Sequence, residues 1–409
     1  MKFRRGWLKA GVASLAALSV GAGLSGVVGA GVAGAANKKP IVVGGIWTQS
    51  SFAGADVGAE AAFSAFNAAG GLDGRKIRFV GMQDDASSSA GSISAAKALV
   101  NQGVVAVVPV VSTAFDASTV LSKAQIPWFG WGVTPNYGES PYGFSFIGSD
   151  TDPNGKFASD SVTPMCNAYA AKNHTKGCKG VTVAVVGEDE NASKSSVLTH
   201  AGAWKKLGAK VVLEQTTMPG QPAVISDFSP YANQIMSAAG GKQPAIIDAP
   251  VNPTQNIGLY GQLSKDGYAG MFEGYALYDP RAVGIAKGSY TQIQFAPWEQ
   301  STPAVTSMTS GVLGIDPTQS KNQGTEAGYI SAKMFIAALE KVGPNFTGQS
   351  LAAALNKGFT FSIPGLAGKI SYPFGHTSGG GGASIVYSNG TAYTVASPLK
   401  SYGSVPVQH

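Results

Sequence analysis

The sequence predicts an α/β protein built from two units, each a parallel sheet with helices on both faces. Three observations lead to this prediction. From Pro40 onward, short continuous apolar runs alternate with helical patterns, as expected for buried strands separated by covering helices. The series begins again after residue 153, which indicates a second unit of similar size. Hydrophobic residues make up 44% of the chain, a share typical of globular proteins.

The first unit contains four apolar runs and three helical patterns. Within the first helical pattern, Val57, Ala61 and Phe66 recur near helical spacing and mark one apolar face. The expected strands cover 41–46, 77–82, 104–111 and 126–131, and the expected helices cover 56–69, 92–101 and 115–124.

The second unit repeats the alternation and is followed by further elements. Its expected strands cover 181–186, 210–214, 245–247 and 271–275, and its expected helices lie within 153–171 and at 195–207, 223–238 and 254–265. A later helix carries apolar residues from Ala327 to Ala338, and 351–355 lies in another. The last element predicted is a hairpin of 384–387 and 391–395 around Asn389-Gly390, a turn pair favoured in hairpins.

Two such Rossmann-like lobes predict a ligand cleft between them. Ligands of open parallel sheets bind beyond the carboxyl ends of the strands. Here those ends carry Trp47-Thr48, Ser112-Thr113, 131–134, Gly187-Glu188, 249–252 and Tyr275.

Charge and composition exclude several classes of protein. The net charge is +6, but Lys2, Arg4, Arg5 and Lys9 supply four positive charges, so the rest of the chain carries +2 and no basic run suited to nucleic acid. Two cysteines exclude a disulfide-dense scaffold and a zinc ribbon. The four histidines lack metal-ligand spacing, and the mature chain has no H-E-x-x-H or G-x-S-x-G motif. We therefore expect no enzyme activity, no metal and no cofactor.

Residues 1–36 have the pattern of an export signal. A basic segment, 1–9, precedes an uncharged Gly- and Ala-rich stretch that ends at a small-x-small site, 33–35. Arg4-Arg5 with the following aromatic and Leu fits a twin-arginine signal, and an ordinary secretory signal or an uncleaved anchor are the alternatives. We expect an exported protein, periplasmic or extracellular. No cysteine lies near the cleavage site, so we expect no lipid anchor.

Several motifs resemble one family. The run from Val57 to Phe79, with Asn67 followed by Gly-Gly-Leu-Asp-Gly-Arg-Lys at 70–76, resembles the first helix and turn of type I periplasmic solute-binding proteins. This is the leucine/isoleucine/valine-binding group of ABC importers. Asp84-Asp85, the segment 98–104 and the helix that begins at Ala327 are also similar. The likeness extends over residues 40–396.

The resemblance implies two lobes that the chain crosses between three times, near 146–150, 295–298 and 372–382. Closure of the lobes on a ligand is the motion it implies. The domain boundaries then expected are 1–36 for the signal peptide, 37–147 and 298–375 for lobe 1, and 148–297 and 376–409 for lobe 2.

The resemblance also implies a ligand carboxylate held by hydroxyls and backbone N–H groups of lobe 1. Ser112, Thr113 and Thr134 match these positions, with Val133 beside them. The alternative is that the hydroxyls only cap the following helices. Thr48 and Asn252 are added as strand-end residues that face the expected cleft.

The lobe-2 half of the site differs from the family pattern. Tyr275 stands where the family has a carboxylate for the ligand ammonium, and Glu273 precedes it on the opposite face. Ala192 stands where the family has an aromatic residue. The acidic run Glu188-Asp189-Glu190 is interpreted as a solvated loop. Asp150, at the first crossover, is expected either to pair with the ligand ammonium or only to cap the hinge. We therefore expect weak binding of free leucine, isoleucine and valine.

Aromatic and cysteine residues give two further predictions. Trp47 and Trp131 are expected to form apolar walls of the cleft, with core packing as the alternative. Cys166 and Cys178 are expected to form a disulfide in an oxidising compartment, with free thiols as the alternative.

Together with the export signal, the resemblance implies a monomeric secreted binding protein. It would capture a small organic molecule, either amino-acid-like or an aromatic or apolar carboxylate or amide, and deliver it to the membrane permease of an ABC importer. Two alternatives are a ligand sensor that presents to a membrane receptor and a secreted α/β hydrolase.

Overall fold

A computed structural model describes residues 38–149, 162–274, 277–377 and 379–402, together with the backbone of 157–158 and 405–406. The expected export signal and the site residues Asp150 and Tyr275 lie outside these described residues. No helix in the described part of the chain has the length and apolar character needed to cross a membrane.

Lobe 1 is built on a parallel five-stranded sheet. Its elements, in chain order, are β1 (Ile41–Trp47), α1 (Gln49–Phe52), α2 (Ala55–Ala68), β2 (Ile77–Asp84), α3 (Ser89–Asn101), β3 (Ala106–Val111), α4 (Ser118–Lys123), β4 (Trp128–Gly130) and β5 (Gly143–Ser145). The strand order is β2-β1-β3-β4-β5.

Lobe 2 is built on a parallel four-stranded sheet with the order β10-β9-β7-β8. Its elements, preceded by the short strand β6 (Phe157–Ala158), are α5 (Val162–Asn173), β7 (Thr182–Glu188), α6 (Asn191–Lys206), β8 (Lys210–Met218), α7 (Ser229–Ser237), β9 (Ile246–Asp248), α8 (Pro253–Lys265) and β10 (Met271–Glu273).

From residue 277 onward, the described part of the chain adds three α-helices and completes three small antiparallel sheets. Its elements are β11 (Tyr290–Ile293), α9 (Pro303–Ile315), α10 (Gln323–Val342), α11 (Gly348–Asn356), β12 (Phe359–Ile363), β13 (Ala367–Tyr372), β14 (Ala383–Ser388), β15 (Tyr393–Lys400) and β16 (Val405–Pro406). Strands pair as β11-β14-β15, β12-β13 and β16-β6. The backbones of Gly148 and Gly379 form an isolated bridge.

Each parallel sheet buries both faces, which explains the continuous apolar strands. In β1, Ile41 and Val43 belong to the core cluster that includes α2 and α10, whereas Val42 and Ile46 belong to the cluster that includes α3. In β7, Val183 and Val185 face a cluster containing Trp204 of α6, and the alternate residues face α7 and α8. Because successive side chains of a strand point to opposite faces, apolar residues are needed at every position.

The predicted alternation of strands and helices is confirmed, and so is the hairpin around Asn389. The predicted disulfide is present as well, joining Cys166 of α5 to Cys178 with a Cα–Cα distance of 5.7 Å.

The starts of α6 and α7 differ most from the prediction, whereas those of α3 and α4 differ by three residues each. Helix α6 begins four residues before the expected start at 195, because the Glu190 carboxylate accepts hydrogen bonds from the first-turn N–H groups. Helix α7 begins at Ser229 instead of 223, after Asp227 accepts the N–H of Ser229 at 2.9 Å. Several elements were not predicted from the sequence, among them α1, β5, α9, β11 and the β12-β13 hairpin.

Candidate functional site

Two adjoining cavities lie at the carboxyl ends of the parallel strands. The inner cavity, of about 80 Å³, is lined from lobe 1 by Phe52, Thr113, Trp131 and Val133 and from lobe 2 by residues that include Glu188, Ala192 and Asn252. The outer cavity, of about 390 Å³, shares Thr113, Glu188 and Asn252 with the inner one. The two therefore form one cleft between the strand ends of both lobes.

The lobe-1 wall of the inner cavity is aromatic. The indole N–H of Trp131 donates to Oε1 of Gln294 at 2.5 Å, which fixes the ring. Phe52 meets this ring edge to face at 5.7 Å between centroids. A ring held in this way presents a rigid apolar surface to a ligand at little entropic cost.

Hydroxyl groups of lobe 1 supply the polar part of this wall. Thr113 follows β3 and lines both cavities. Thr134 lines the outer cavity and is 2% exposed, and its Oγ1 has no hydrogen-bond partner among the described residues. A buried hydroxyl without a partner costs free energy, so Thr134 is available to a polar ligand atom.

The other two predicted lobe-1 hydroxyls are occupied within the protein. Thr48 Oγ1 lies 3.0 and 3.1 Å from the carboxylate oxygens of Asp85, and Ser112 Oγ donates to Oδ2 of the same carboxylate. Neither Thr48 nor Ser112 is among the residues that line the two cavities.

The lobe-2 wall contains a buried carboxylate, Glu188, at the end of β7. Glu188 is 4% exposed and lines both cavities. Burial, together with the neighbouring charge of Glu190, raises the pKa of Glu188 to about 8, while hydrogen bonds from Asn252 oppose the rise. A positively charged ligand group would relieve this unfavourable charge burial.

Asn252 and Ser193 hold Glu188 in place. The Asn252 backbone N–H donates to Oε2 of Glu188 at 3.2 Å, and its side-chain amide donates to Oε1. Oδ1 of Asn252 caps α8 by accepting the N–H of Gln255. Ser193 Oγ accepts the Glu188 N–H at 2.8 Å and donates to the carbonyl of Pro250 at 2.5 Å. Asn252 therefore fixes the carboxylate, and Ser193 fixes the backbone that carries it.

The cleft is acidic. Its described lining residues include no lysine, arginine or histidine. Of the acidic groups, Asp279 is paired with the Arg281 guanidinium at 2.9 and 2.8 Å, and Glu190 caps α6. Asp116 and Glu139 face the outer cavity. This charge pattern favours a ligand that carries a cationic or neutral polar group.

Of the remaining predicted site residues, Val133 lines the cleft, Trp47 lies in the core, and Asp150 and Tyr275 lie outside the described chain. Trp47 is 9% exposed in the lobe-1 core cluster and does not belong to the described linings. Val133 lines the inner cavity. Asp150 and Tyr275 are not described, so their roles stay predictions. Within the described ranges, no group of three or more His, Cys, Asp or Glu side chains is arranged to hold a metal ion.

Sequence reasoning missed Glu188 and Phe52 as wall residues. Glu188 was available as a strand-end residue, but the acidic run that follows it suggested a solvated loop. The signal that could have found it is its place at the carboxyl end of β7, shortly after the apolar run 183–186. Phe52 lies on the short helix α1, which the apolar pattern did not reveal.

The chain matches one protein-family model and is similar in fold to many solved structures. A family model described as periplasmic binding protein matches residues 40–379. No curated protein matches the chain.

Three solved structures have a similar fold. The branched-chain amino acid transporter substrate binding protein from Streptococcus pneumoniae, in complex with isoleucine, is 18% identical, with a TM-score of 0.67 over 89% of this chain and 100% of its own. A solute binding protein of an ABC transporter from R. palustris, in complex with 4-hydroxybenzoate, is 17% identical, with a TM-score of 0.68 over 91% and 98%. A possible leucine/isoleucine/valine-binding protein from Rhodopirellula baltica is 16% identical, with a TM-score of 0.74 over 88% and 97%.

Proposed function

This chain belongs to the periplasmic binding protein family, and from that premise we propose that it captures a small organic molecule between its two lobes and delivers it to the permease of an ABC importer. The observation that carries the proposal is the cleft itself, which is walled by strand ends of both lobes and holds the buried carboxylate of Glu188. A molecule bound there would contact both lobes at once, and lobe closure would then be driven by ligand binding.

We propose that the ligand is amino-acid-like, with an amino group placed against Glu188. A buried carboxylate without a cation costs several kcal/mol, and an ammonium group would offset that cost. The expectation that this cleft rejects a zwitterion depended on a missing lobe-2 carboxylate at position 275. Glu188 supplies a carboxylate from a different strand of the same lobe.

The other end of the ligand would contact lobe 1. The hydroxyls of Thr113 and Thr134 can donate to a carboxylate or a carbonyl oxygen. Phe52, Trp131 and Val133 would cover an apolar side chain or an aromatic ring. Solved structures of similar fold contain isoleucine in one case and 4-hydroxybenzoate in another, so this fold accommodates both kinds of ligand.

A thermal-shift screen of the mature protein tests the proposal. The compounds are the common amino acids, their amides, primary amines and aromatic acids, because a ligand that binds the folded state raises the melting temperature by mass action. We expect stabilisation by compounds with an amino group and an apolar body, and none in a Glu188→Gln variant. Stabilisation by aromatic acids alone, unaffected by Glu188→Gln, would contradict the ligand class.

Two further observations test the rest of the proposal. A ligand recovered unchanged after long incubation supports a binding protein, whereas conversion to a product would favour the hydrolase alternative. Ligand-dependent capture of a permease from solubilised membranes supports import. Capture of a membrane receptor instead would favour the sensor.

A further inference from the structure

A second buried carboxylate, Asp85, lies behind the lobe-1 wall of the cleft. It follows β2 directly, has an exposed fraction of 0%, and is not among the lining residues of either cavity. The described ion pairs give it no cationic partner. A carboxylate in such a position is tolerated only when hydrogen-bond donors satisfy it.

The donors to Asp85 come from the ends of three neighbouring strands. Thr48 follows β1 and lies 3.0 and 3.1 Å from the two carboxylate oxygens, and Ser112 follows β3 and donates to Oδ2. The backbone N–H of Ser87 donates to Oδ1 at 2.9 Å. Asp85 itself is joined to β1, since its N–H donates to the carbonyl of Trp47 at 3.0 Å.

Each of the two hydroxyl residues, Thr48 and Ser112, is hydrogen-bonded to a segment that lines the cleft. Ser112 Oγ accepts the N–H of Ala114 at 3.0 Å, which fixes the turn that carries Thr113. The carbonyl of Thr48 accepts the N–H groups of Ser51 and Phe52, both at 3.0 Å, and so begins the helical turn that carries these two wall residues. The carboxylate therefore connects two separate segments of the wall.

We propose that Asp85 is the positioning residue of the ligand site in lobe 1, and that Thr48 and Ser112 serve the site by orienting its wall through Asp85 instead of contacting ligand. Asp85 fixes where the Thr113 turn and the Phe52 turn stand relative to each other. The importance of this wall rests on the proposed function, but the order of the wall can be measured without any ligand.

Hydrogen exchange of the full mature chain tests this inference. Four variants are compared with the parent: Asp85→Asn, Thr48→Val, Thr48→Ser and Ser94→Ala. Thr48→Val keeps the shape of the side chain and removes its hydroxyl, whereas Thr48→Ser keeps the hydroxyl. Ser94 is exposed on α3 and serves as the control.

We expect the amides of 51–52 and 112–116 to exchange about tenfold faster in Asp85→Asn and Thr48→Val, because loss of one buried hydrogen bond allows local opening. Thr48→Ser and Ser94→Ala should exchange like the parent. Ser112 is intact in all four variants, so faster exchange at Ala114 would report the effect of Asp85.

Two results would overturn the inference. One is unchanged exchange of both segments in both Asp85→Asn and Thr48→Val. The other is uniformly faster exchange throughout both lobes, which would assign Asp85 to general stability. A failure of the proposed function would appear separately, as ligand screens without a hit while the local exchange pattern is as expected.

Discussion

Replacement of Glu188 by Gln gives the sharpest prediction about the cleft. Burial and the nearby charge of Glu190 raise the pKa of Glu188 to about 8, so the ligand-free protein holds this carboxyl neutral at pH 6. To pair with a ligand ammonium, the carboxyl must lose its proton. Binding of an amine should therefore release about one proton below pH 8.

The pKa sets the size of the effect. Each pH unit below the pKa costs about 1.4 kcal/mol, a tenfold change in affinity. About half of the Glu188 carboxyls are ionised at pH 8 and about one in 100 at pH 6, so an amine ligand should bind about 50-fold more tightly at pH 8 than at pH 6, with little further gain above pH 9. Glu188→Gln mimics the neutral form, so its affinity should be weak and independent of pH over this range. Glu340→Gln, on an exposed part of α10, is the matched control.

The raised pKa of Glu188 also predicts how the stability of the ligand-free protein changes with pH. A carboxyl whose pKa is higher in the folded chain than its ordinary 4.5 binds its proton more tightly when folded. Its contribution to stability is therefore complete below pH 4.5 and decreases as the pH rises towards 8. The parent should lose more stability than Glu188→Gln across this window.

Isothermal titration calorimetry in buffers of different ionisation enthalpy measures both affinity and proton release. The ligand is L-isoleucine or the best amine from the screen. An affinity that is constant between pH 6 and 8, together with full binding by Glu188→Gln, would show that Glu188 does not pair with the ligand amine.

Three other predictions concern single features of the molecule. Trp131→Ala should weaken ligand binding by about 2 kcal/mol, as for a central wall residue, whereas Trp47→Ala should lower stability by about 3–5 kcal/mol, as for a buried aromatic residue. Calorimetry measures the first effect and chemical denaturation the second. The opposite pattern would show that Trp47 contacts the ligand. Thr134→Val should weaken binding by about 1–3 kcal/mol if its hydroxyl donates to the ligand, while the ligand-free variant is as stable as the parent or more stable, because an unpartnered buried hydroxyl is removed; equal affinity would show that Thr134 is not part of the site. Non-reducing peptide mass spectrometry should recover Cys166 linked to Cys178, and the double Ser variant should lose about 2–3 kcal/mol of unfolding free energy; two alkylatable thiols in exported protein would contradict this.

The fold was predictable because parallel strands covered on both faces leave a strong pattern in the sequence. The sequence around β3 and β7 is apolar at almost every position, and each run is bounded by polar or glycine residues. Short elements were harder to find. Strand β11 covers only four residues, and β12 and β13 mix buried with partly exposed residues over five and six positions, so none of the three is long enough to be told apart from a loop by its pattern.

The candidate site was only partly predictable because strand ends are local features and hydrogen-bond partners are not. The sequence places Thr48 and Ser112 at strand ends, but their shared partner Asp85 lies 37 and 27 positions away. Glu188 belongs to an acidic run whose members have different surroundings. Its neighbour Asp189 forms an exposed ion pair with Lys194, whereas Glu188 faces the cleft. The different surroundings of these two carboxylates follow from the packing of lobe 2, which the local sequence does not show.

A crystal structure of the protein with its best ligand from the screen tests the central claim most directly. We expect one molecule between the lobes, with its nitrogen about 3 Å from the Glu188 carboxylate, as in a charge-assisted hydrogen bond. Its apolar part should lie against Trp131 and Phe52, and an oxygen should accept from Thr113 or Thr134. A ligand bound outside this cleft, or one that places only apolar atoms against Glu188, would contradict the proposed binding of an amine ligand between the lobes.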